Sequence, residues 1–518
     1  MNGVQLLLII GAGIAVSAVA RKRNIEPGWI IVVLAAAASF IPGVPRLELD
    51  SEMILAIVVP PLLYSATRNA SFSSFGANMN AIVTLGLLLV LFTAGVLGLV
   101  ATWLLPTIGG AAAFLLGSVL APPDTITTVS HGDEIGLPKR VTSILTGESL
   151  VNDATALTLF AIALGAANGE QASFGSGALE LVRTAGIGLV IGAGLSVPTL
   201  WLRKRLGNPT LETTLVLLLP FTAFLLAEEA HASGILAVVA AAFSVSLNLA
   251  LDPKHQYPGG YKTRLQEESF WPVVDFLLET FVFAYIGLQL KWVLEDLAES
   301  DDPGLVRTLV AAGVLLVVAI LFRLFAVWVL FGRWRRKDQR VKRRVQEDIY
   351  FRTRWQRMEE RRTRRGGKPL DPPTRKQTLL VGWTGMRGIL TLAAAAAIPP
   401  TIEHGTEPFP GRDAIQAIAL IVTLGTLLIQ GTTVGWLSRK LNFDLTEERA
   451  ETKELRDLAR TIIAEAGAEP AETDDARFEA QRAALGKAVA EHRLTEDIAR
   501  ELIEEVDLRQ AAQSTYPA

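Results

Sequence analysis

The sequence has no cysteine among its 518 residues and only five histidines, which are scattered along the chain. Without cysteine the chain can form no disulfide, no thiolate nucleophile and no thiolate metal site. The sequence patterns of P-loop nucleotide binding, serine hydrolases and zinc hydrolases are also missing. Glycine-rich stretches such as residues 186–194 therefore indicate close helix packing, and an enzyme that uses any of these chemistries is disfavoured.

Apolar residues make up 50% of the sequence, and the mean hydropathy is +0.36. They form a succession of runs long enough to cross ~30 Å of hydrocarbon. We therefore predict an all-α polytopic membrane protein with about 13 transmembrane helices. The predicted spans are about 4–20, 28–42, 50–67, 79–104, 109–130, 141–166, 180–201, 211–230, 233–250, 269–290, 304–331, 377–399 and 413–436.

The positive charges between these spans predict the topology. Arg21, Lys22 and Arg23 follow the first apolar run instead of preceding it, which favours a retained helix over a cleaved signal peptide. With the N-terminus outside, the short inside loops carry more than twice as many Lys and Arg as the outside loops. Because one added or missing helix would scramble this asymmetry, we predict that the C-terminus is cytoplasmic.

Two segments of opposite charge lie on the predicted cytoplasmic side. Residues 333–376 hold 18 Lys and Arg against 6 acids, and we interpret them as a solvated basic loop near anionic lipid, with no nucleic-acid role. The chain beyond Leu441 holds 19 acids against 10 Lys and Arg and carries helical apolar stripes. We predict a transmembrane domain over 1–437 and an acidic helical cytoplasmic tail over 438–518. Opposite charge favours docking of this tail on the basic loop.

Two of the predicted spans are interrupted near their centres. The fifth contains LAPPDTITTV, in which two prolines remove backbone donors just before Asp124. The twelfth contains GWTGMRGIL, in which three glycines loosen the helix around Arg387. Broken backbone at membrane depth persists only where protein or a wet cavity satisfies it. The two spans run in opposite directions, which is typical of an inverted 6+1+6 repeat with broken helices that cross at a transport site.

The stretch 145–159, LTGESLVNDATALTL, places four polar side chains in a run otherwise suited to hydrocarbon. In a helix Glu148 lies one turn before Asn152, and Ser149 lies one turn before Asp153. A carboxylate at this depth is costly, so it normally faces a bundle interior or a wet cavity where it acts. An oxygen-rich patch with one titratable Asp suits a small cation and a proton that compete for one place. The pattern therefore predicts exchange of a monovalent cation for H⁺.

Several motifs together resemble those of a known family. The motif GESLVNDA resembles the Asn-Asp motif of the monovalent cation/proton antiporter superfamily, in its electroneutral CPA1 branch of bacterial Na⁺/H⁺ antiporters and eukaryotic sodium/proton exchangers. The stretches VPPLLYSAT, APPDT, ETFVFAYIGLQL and GMRGILTLAAAAAIP follow in the order expected for that branch. The resemblance covers about residues 1–437, and the tail lies outside it.

The resemblance implies roles for the central residues. Asp153 would be the carboxylate that holds a cation and a proton in turn, and Asn152 would accompany electroneutral one-for-one exchange. Ser149 would add a neutral ligand, although its hydroxyl could equally bond its own helix backbone. Asp124 would stabilise the crossover and its half-helix dipoles more than it binds the ion.

The buried acid Glu148 needs a positive partner. The resemblance indicates Arg323 in the eleventh span, with Arg387 balancing the crossover, and the sequence alone leaves the reverse assignment open. Glu279 resembles an acid of the family's tenth span, and an acid at a helix end is an equal alternative.

Two departures from the family pattern alter the predicted ion shell. This chain has Ser65 where some relatives carry an acid, and Pro123 where they carry Thr. Thr125, Thr128 or water would complete the shell, and the choice among Na⁺, K⁺ and Li⁺ stays open. The resemblance further implies a homodimer in a bacterial plasma membrane that serves pH and sodium homeostasis, with no cofactor beyond the transported ions. The alternatives are a cation channel or uniporter, and a K⁺/H⁺ exchanger with a sensory tail.

Overall fold

The computed structural model describes residues 3–22, 27–42, 44, 51–68, 70, 72–124, 137–169, 174–251, 259–299, 303–364, 372–402, 407–468, 471 and 473–515. The described chain is helical, which confirms the predicted fold class. Its extended pairing consists of isolated bridges such as that between Asp124 and Met386. Thr125 and Thr128 lie outside the described residues, so their predicted part in the ion shell stays a prediction.

The helices are α1 (Gly3–Lys22), α2 (Pro27–Ser39), α3 (Ser51–Arg68), α4 (Phe72–Val83), α5 (Val90–Leu104), α6 (Gly109–Leu120), α7 (Lys139–Ala167), α8 (Phe174–Leu206), α9 (Pro209–Glu229), α10 (Gly234–Leu251), α11 (Gly260–Glu299), α12 (Leu305–Glu347), α13 (Ile349–Arg364), α14 (Arg375–Trp383), α15 (Ile389–Ala396), α16 (Arg412–Thr426), α17 (Thr432–Leu441), α18 (Thr446–Ala468), α19 (Asp474–Ala490) and α20 (Glu496–Thr515). Turns of π-helix over Thr84–Leu89 and Leu427–Gly431 join α4 to α5 and α16 to α17.

Seven stretches of the described residues are long and apolar enough to cross a bilayer, by length and composition. They lie in α4–α5, α7, α8, α9, α11, α12 and α16–α17. Shorter apolar helices are Leu7–Ala20, Pro27–Ser39, Pro106–Leu120 and Gly234–Ser246. The exact count of 13 spans and the inverted repeat stay predictions.

The membrane helices form two bundles that meet at the broken segments. The first bundle consists of α4–α7, α12 and α14–α17, and the second consists of α1–α3 and α8–α11. Leu97, Leu115 and Ile418 belong to an apolar cluster in the first bundle, and Leu219 and Val238 belong to one in the second. Helix α11 packs on α16, and α15 packs on α3, which joins the two bundles beside the crossover.

The glycine-rich stretch 186–194 packs helices closely, as predicted. A Cβ added at Gly192 would overlap the carbonyl oxygen of Ala237, and one added at Gly188 would lie 2.5 Å from the carbonyl oxygen of Ser233. Both neighbours lie at or near α10, so these glycines let α8 approach it backbone to backbone.

The basic segment is largely helical and not an open loop. Helix α12 continues past Arg333 to Glu347, and α13 follows after the single residue Asp348. At 1.5 Å per residue a helix of 43 residues is ~64 Å long, about twice the hydrocarbon thickness. The hydrocarbon can therefore cover only about half of α12, and the basic run 333–347 lies at the C-terminal end of the helix.

The acidic tail folds into three helices, α18–α20, around its own apolar cluster. Ile462, Ile498, Leu502 and Val506 are buried in that cluster, at the predicted helical spacing. Because the cluster is shared by all three helices, the tail is a small packed unit.

The described tail meets the predicted basic segment at Lys376, whose Nζ donates to the carbonyl oxygen of Asn442 at 3.4 Å, but its buried contacts are with other positive charges. Asp507 accepts two hydrogen bonds from Arg264 of α11, at 2.6 and 2.8 Å. Arg500 donates to the carbonyl oxygen of Arg68 at the end of α3, at 2.6 Å. Helix α20 packs on α10 and α11, so it lies under the second bundle and not along α12–α13. The pair of Asp507 with Arg264 is shielded from solvent, because Asp507 is 1% exposed and Arg264 is largely covered. A shielded ion pair is stronger than one between exposed side chains.

Candidate functional site

The candidate site is built on the middle of α7. Glu148 and Asn152 are completely buried there, and Ser149 is 4% exposed. Asp153 keeps partial exposure, although it directly follows Asn152. Helix α7 therefore carries a fully buried acid, Glu148, and a partly exposed acid, Asp153, five residues further on.

Arg323 of α12 pairs with Glu148. Its two terminal nitrogens donate to the two carboxylate oxygens at 2.6 and 3.1 Å, and one also donates to the carbonyl oxygen of Val381 at 3.2 Å. A Cβ added at Gly385 would overlap the Arg323 side chain, so this glycine lets the guanidinium pass. Of the two assignments that the sequence left open, the geometry has Arg323 opposite Glu148. A two-pronged pair of this kind neutralises both buried charges.

The interrupted backbones cross and bond to each other. Helix α6 ends at Leu120, and α14 and α15 leave residues 384–388 non-helical between them. The Asp124 N–H donates to the carbonyl oxygen of Met386 at 2.7 Å, which makes a single antiparallel bridge between the two segments. Pro122 and Pro123 have no N–H to satisfy, so the break leaves fewer orphan donors at this depth.

Among the described residues, Arg387 is held by backbone carbonyl groups and not by an acid. Its Nε donates to the Leu120 carbonyl oxygen at 2.8 Å, and its Nη1 donates to the Gly385 carbonyl oxygen at 2.6 Å. Leu120 is the last residue of α6, where the helix dipole is negative and carbonyl groups lack helical partners. Arg387, which is 1% exposed, thus places a positive charge on the cut end of a half-helix.

Asp124 lies at the opposite kind of helix end. A Cβ added at Gly388 would overlap the Asp124 carboxylate, so the two residues are in direct contact. Gly388 is the N-cap of α15, where the helix dipole is positive and N–H groups point outward. The geometry suits the electrostatic role expected for Asp124.

Asn152 joins α7 to the broken span. Its side-chain N–H₂ group donates to the carbonyl oxygen of Pro123 at 2.7 Å. Its Oδ1 is buried and accepts no hydrogen bond from the described residues. A fully buried amide oxygen beside Asp124 and Asp153 is a suitable ligand for a small cation.

Asp153 has a different electrostatic environment from Glu148. The charged side chain that acts on it is Asp124, which has the same sign. Among the described residues, no Lys or Arg forms an ion pair or hydrogen bond with its carboxylate. A carboxylate without a fixed positive partner needs a mobile one, either a proton or a metal cation.

A second acidic group on α11 faces the same region. The Ser65 hydroxyl donates to Asp275 Oδ2 at 2.5 Å, and Asp275 lies one turn before Glu279. Asp275 and Asp124 both act electrostatically on Glu279. Ser65 and Glu279 were predicted from the sequence, but Asp275 was not. The available signal was its position in the same apolar run, four residues before Glu279.

A buried charge cluster away from the crossover was also missed. Arg203 contacts Glu267 at 2.6 Å and Glu212 at 3.7 Å, and Thr263 donates to Glu212 at 2.7 Å. From the sequence, Arg203 was counted only among the positive loop charges that predict the topology, yet it is 1% exposed. These residues join α8, α9 and α11, so we assign the cluster to the packing of the second bundle.

In the described ranges no three His, Asp or Glu side chains come together closely enough to hold a metal ion. The acids near Asp153 are therefore spread along the region between the bundles and do not form one chelating cage.

An all-helical membrane fold in which two broken helices cross at a charged centre defines a multi-pass secondary transporter. The chain belongs to the sodium/hydrogen exchanger family, whose transmembrane region matches residues 3–440. This assignment confirms the resemblance found in the sequence.

Relatives and solved structures agree with this assignment. An uncharacterised Na⁺/H⁺ exchanger of Mycobacterium tuberculosis is 30% identical over 89% of this chain and 78% of its own length. The sodium, potassium, lithium and rubidium/H⁺ antiporter of Bacillus subtilis is 29% identical over 83% of this chain and 60% of its own length. The sodium proton antiporter MjNhaP1 of Methanocaldococcus jannaschii has the same fold, with a TM-score of 0.60, 17% identity, and coverage of 84% of this chain and 97% of that one.

Proposed function

We propose that the protein exchanges a monovalent cation for H⁺ across the membrane by alternating access, with Asp153 as the shared binding site. The observation that carries this proposal is the contrast on α7. Asp153 has an acid and no basic partner among its described neighbours, whereas Glu148 is neutralised by Arg323. Of these two acids on α7, Asp153 is therefore the one whose charge a transported ion can balance.

In this proposal the cation is held by Asp153 together with neutral oxygens. Asn152 Oδ1 accepts no hydrogen bond from the described chain, and Ser149 lies one helical turn before Asp153. Asp124 and Arg387 hold the crossover in place, because each lies at the half-helix end of opposite sign. Glu279 and Ser65 belong to the outer part of the site, on the side of α11 and α3.

We propose one-for-one exchange without net charge movement. One titrating carboxylate can carry either one cation or one proton in each half-cycle, so one positive charge replaces another. The neutral Asn152 adds no second titration. Membrane potential would then do no work on the cycle.

The transported ion is Na⁺ in this proposal, with K⁺ and Li⁺ as further substrates. The Bacillus subtilis relative is named as a sodium, potassium, lithium and rubidium/H⁺ antiporter, which favours a broad site. Ser65 and Pro123 also remove an acid and a hydroxyl that some relatives carry. A shell with fewer fixed ligands discriminates less between ions of different radius.

The test is exchange by the full-length protein in liposomes. An imposed pH gradient should drive uptake of Na⁺, K⁺ or Li⁺, each supplied in turn, and a potential clamped at different values should leave the rate unchanged. Asp153→Asn should lower exchange at least ~100-fold, since an amide cannot carry the proton. Asp413→Asn is the matched control, because its acid is exposed at the start of α16 and should tolerate the change.

Wild-type-like exchange by Asp153→Asn would contradict the site. Cation uptake that carries net current, without proton counterflow, would instead identify a channel or uniporter.

We further propose a homodimer in a bacterial plasma membrane, with its N-terminus outside and its tail in the cytoplasm, that serves pH and sodium homeostasis. The tail contacts support this sidedness. Lys139, Arg68 and Arg264 all touch the tail, and each follows an odd-numbered predicted span. The tail follows the thirteenth, so the four segments should share one side.

A further inference from the structure

A groove runs along the outer face of the first bundle, between α12 and α14. Its volume is about 310 Å³. Phe325, Trp328 and Leu379 line it with exposed fractions of 61%, 58% and 42%. Leu324, Thr378 and Arg375 complete the lining. Apolar side chains this exposed on a membrane helix face acyl chains and not water.

With the sidedness proposed above, on which this inference rests, the groove lies at the cytoplasmic edge of the hydrocarbon. From Leu305 to Trp328 a helix rises ~35 Å at 1.5 Å per residue, slightly more than the ~30 Å hydrocarbon core. The basic run from Arg333 begins just beyond. Trp at this depth is typical of the interfacial belt, so the groove opens toward lipid headgroups.

Two arginines lie near the headgroup end of the groove: Arg375 belongs to its lining, and Arg335 bonds to Thr378, which also belongs to it. Arg335 donates to the Pro373 carbonyl oxygen at 2.8 Å and to Thr378 Oγ1 at 2.6 Å, and Arg375 repels it electrostatically. In the part of the chain that the structure describes, no carboxylate pairs with either arginine. Two neighbouring cations without an acid favour an anion, and guanidinium groups match phosphate oxygens.

We propose that this groove binds an anionic phospholipid of the inner leaflet. Its phosphate would lie between Arg375 and Arg335, and an acyl chain would lie along Phe325, Trp328 and Leu379. The arginines lie at the end of the groove where the lipid headgroup would be, and the apolar side chains lie where its acyl chain would be. A zwitterionic lipid lacks the net charge to match two arginines, and free phosphate lacks the chain.

The groove adjoins the buried ion pair. Leu324 lines the groove and also packs on Gly382 of α14, where an added Cβ would lie 3.0 Å from its side chain. The neighbouring residue is Arg323, the partner of Glu148. A lipid seated here would hold α14 against α12 and so stabilise the broken span, independently of which ion the protein exchanges.

The test compares lipids on the purified full-length protein in detergent. Phosphatidylglycerol should raise the melting temperature and remain bound in native mass spectrometry, and phosphatidylcholine at equal concentration should do neither. Arg375→Gln should weaken phosphatidylglycerol binding roughly fivefold, the effect of one basic residue near an anionic lipid surface. Arg340→Gln is the matched control, since Arg340 is exposed further along α12, outside the groove.

Arg375→Lys serves as a second variant, because it keeps the positive charge and should retain most of the binding. Equal stabilisation by phosphatidylcholine would overturn the proposal. So would equal binding by Arg375→Gln and Arg340→Gln, or a melting shift that inorganic phosphate alone reproduces.

Discussion

Glu148 and Asp153 are acids on one helix of one bundle, yet their surroundings differ in every respect that matters for a charge. Glu148 is completely buried and meets both arms of Arg323. Asp153 is partly exposed, and the like charge of Asp124 acts on it. The first arrangement fixes a charge permanently, and the second leaves one to be neutralised by whatever ion arrives. Burial in a membrane thus gives an acid a structural or a transport role according to its partner.

The largest effect on stability should come from breaking the fixed pair. Glu148→Ala or Arg323→Ala strands one buried charge and should destabilise the protein by about 3–5 kcal/mol. Asp153→Asn removes no partner and should leave the melting temperature of the purified protein nearly unchanged.

Replacing both members of the pair sharpens this comparison. Glu148→Leu combined with Arg323→Leu should cost less than either single truncation, because no charge is left unpaired. Thermal unfolding of the variants in the same detergent measures the difference. Similar losses for Asp153→Asn and Glu148→Ala would mean that both acids are structural.

A smaller effect is expected at the crossover. Gly388→Ala places a methyl group against the Asp124 carboxylate and should cost about 1–3 kcal/mol by overpacking. It should also slow exchange, since the contact between Asp124 and α15 is displaced. Gly313→Ala is the matched control, because a Cβ there meets nothing within 4 Å. Equal melting temperatures and exchange rates for the two variants would show that the contact is dispensable.

The smallest effect is expected at the N-terminal end of α7. Pro138 at its N-cap supplies no side-chain hydrogen bond, and the Lys139 N–H donates instead to Glu448 of the tail at 2.8 Å. Glu448→Ala should therefore cost about 1 kcal/mol, the usual value for a lost cap. Glu448→Gln keeps an acceptor oxygen and should restore most of it, as judged by hydrogen exchange of the first turn of α7. Identical rates of amide hydrogen exchange in the two Glu448 variants would exclude a capping role.

The sequence predicts the site more fully than it predicts the contacts around it. Apolar run lengths, the prolines before Asp124 and the glycines around Arg387 each reflect a local physical demand, so the helical fold and the broken spans can be read directly. Ser65 and Asp275, by contrast, meet across 210 residues of sequence, and no local pattern encodes their bond.

The two predictions that the structure changes concern charge. Residues 333–347 contain no Pro or Gly, so their continuation of α12 was open to prediction from composition. The docking of the tail was not, because opposite charge alone cannot choose among several basic segments. Asp507 pairs with Arg264 of α11 and with Arg482 of the tail itself. These partners are brought together by the packing of the helices, which the sequence pattern does not show.

The position of the tail has a mechanical consequence. Helix α18 follows α17 of the first bundle after four residues, whereas α20 is fastened to α11 and α3 of the second. The tail thus links the two bundles, by the chain itself at one end and by side-chain contacts at the other. If one bundle slides past the other, the movement will strain residues 442–445 and the pair of Asp507 with Arg264, so the tail is placed to respond to the position of both bundles.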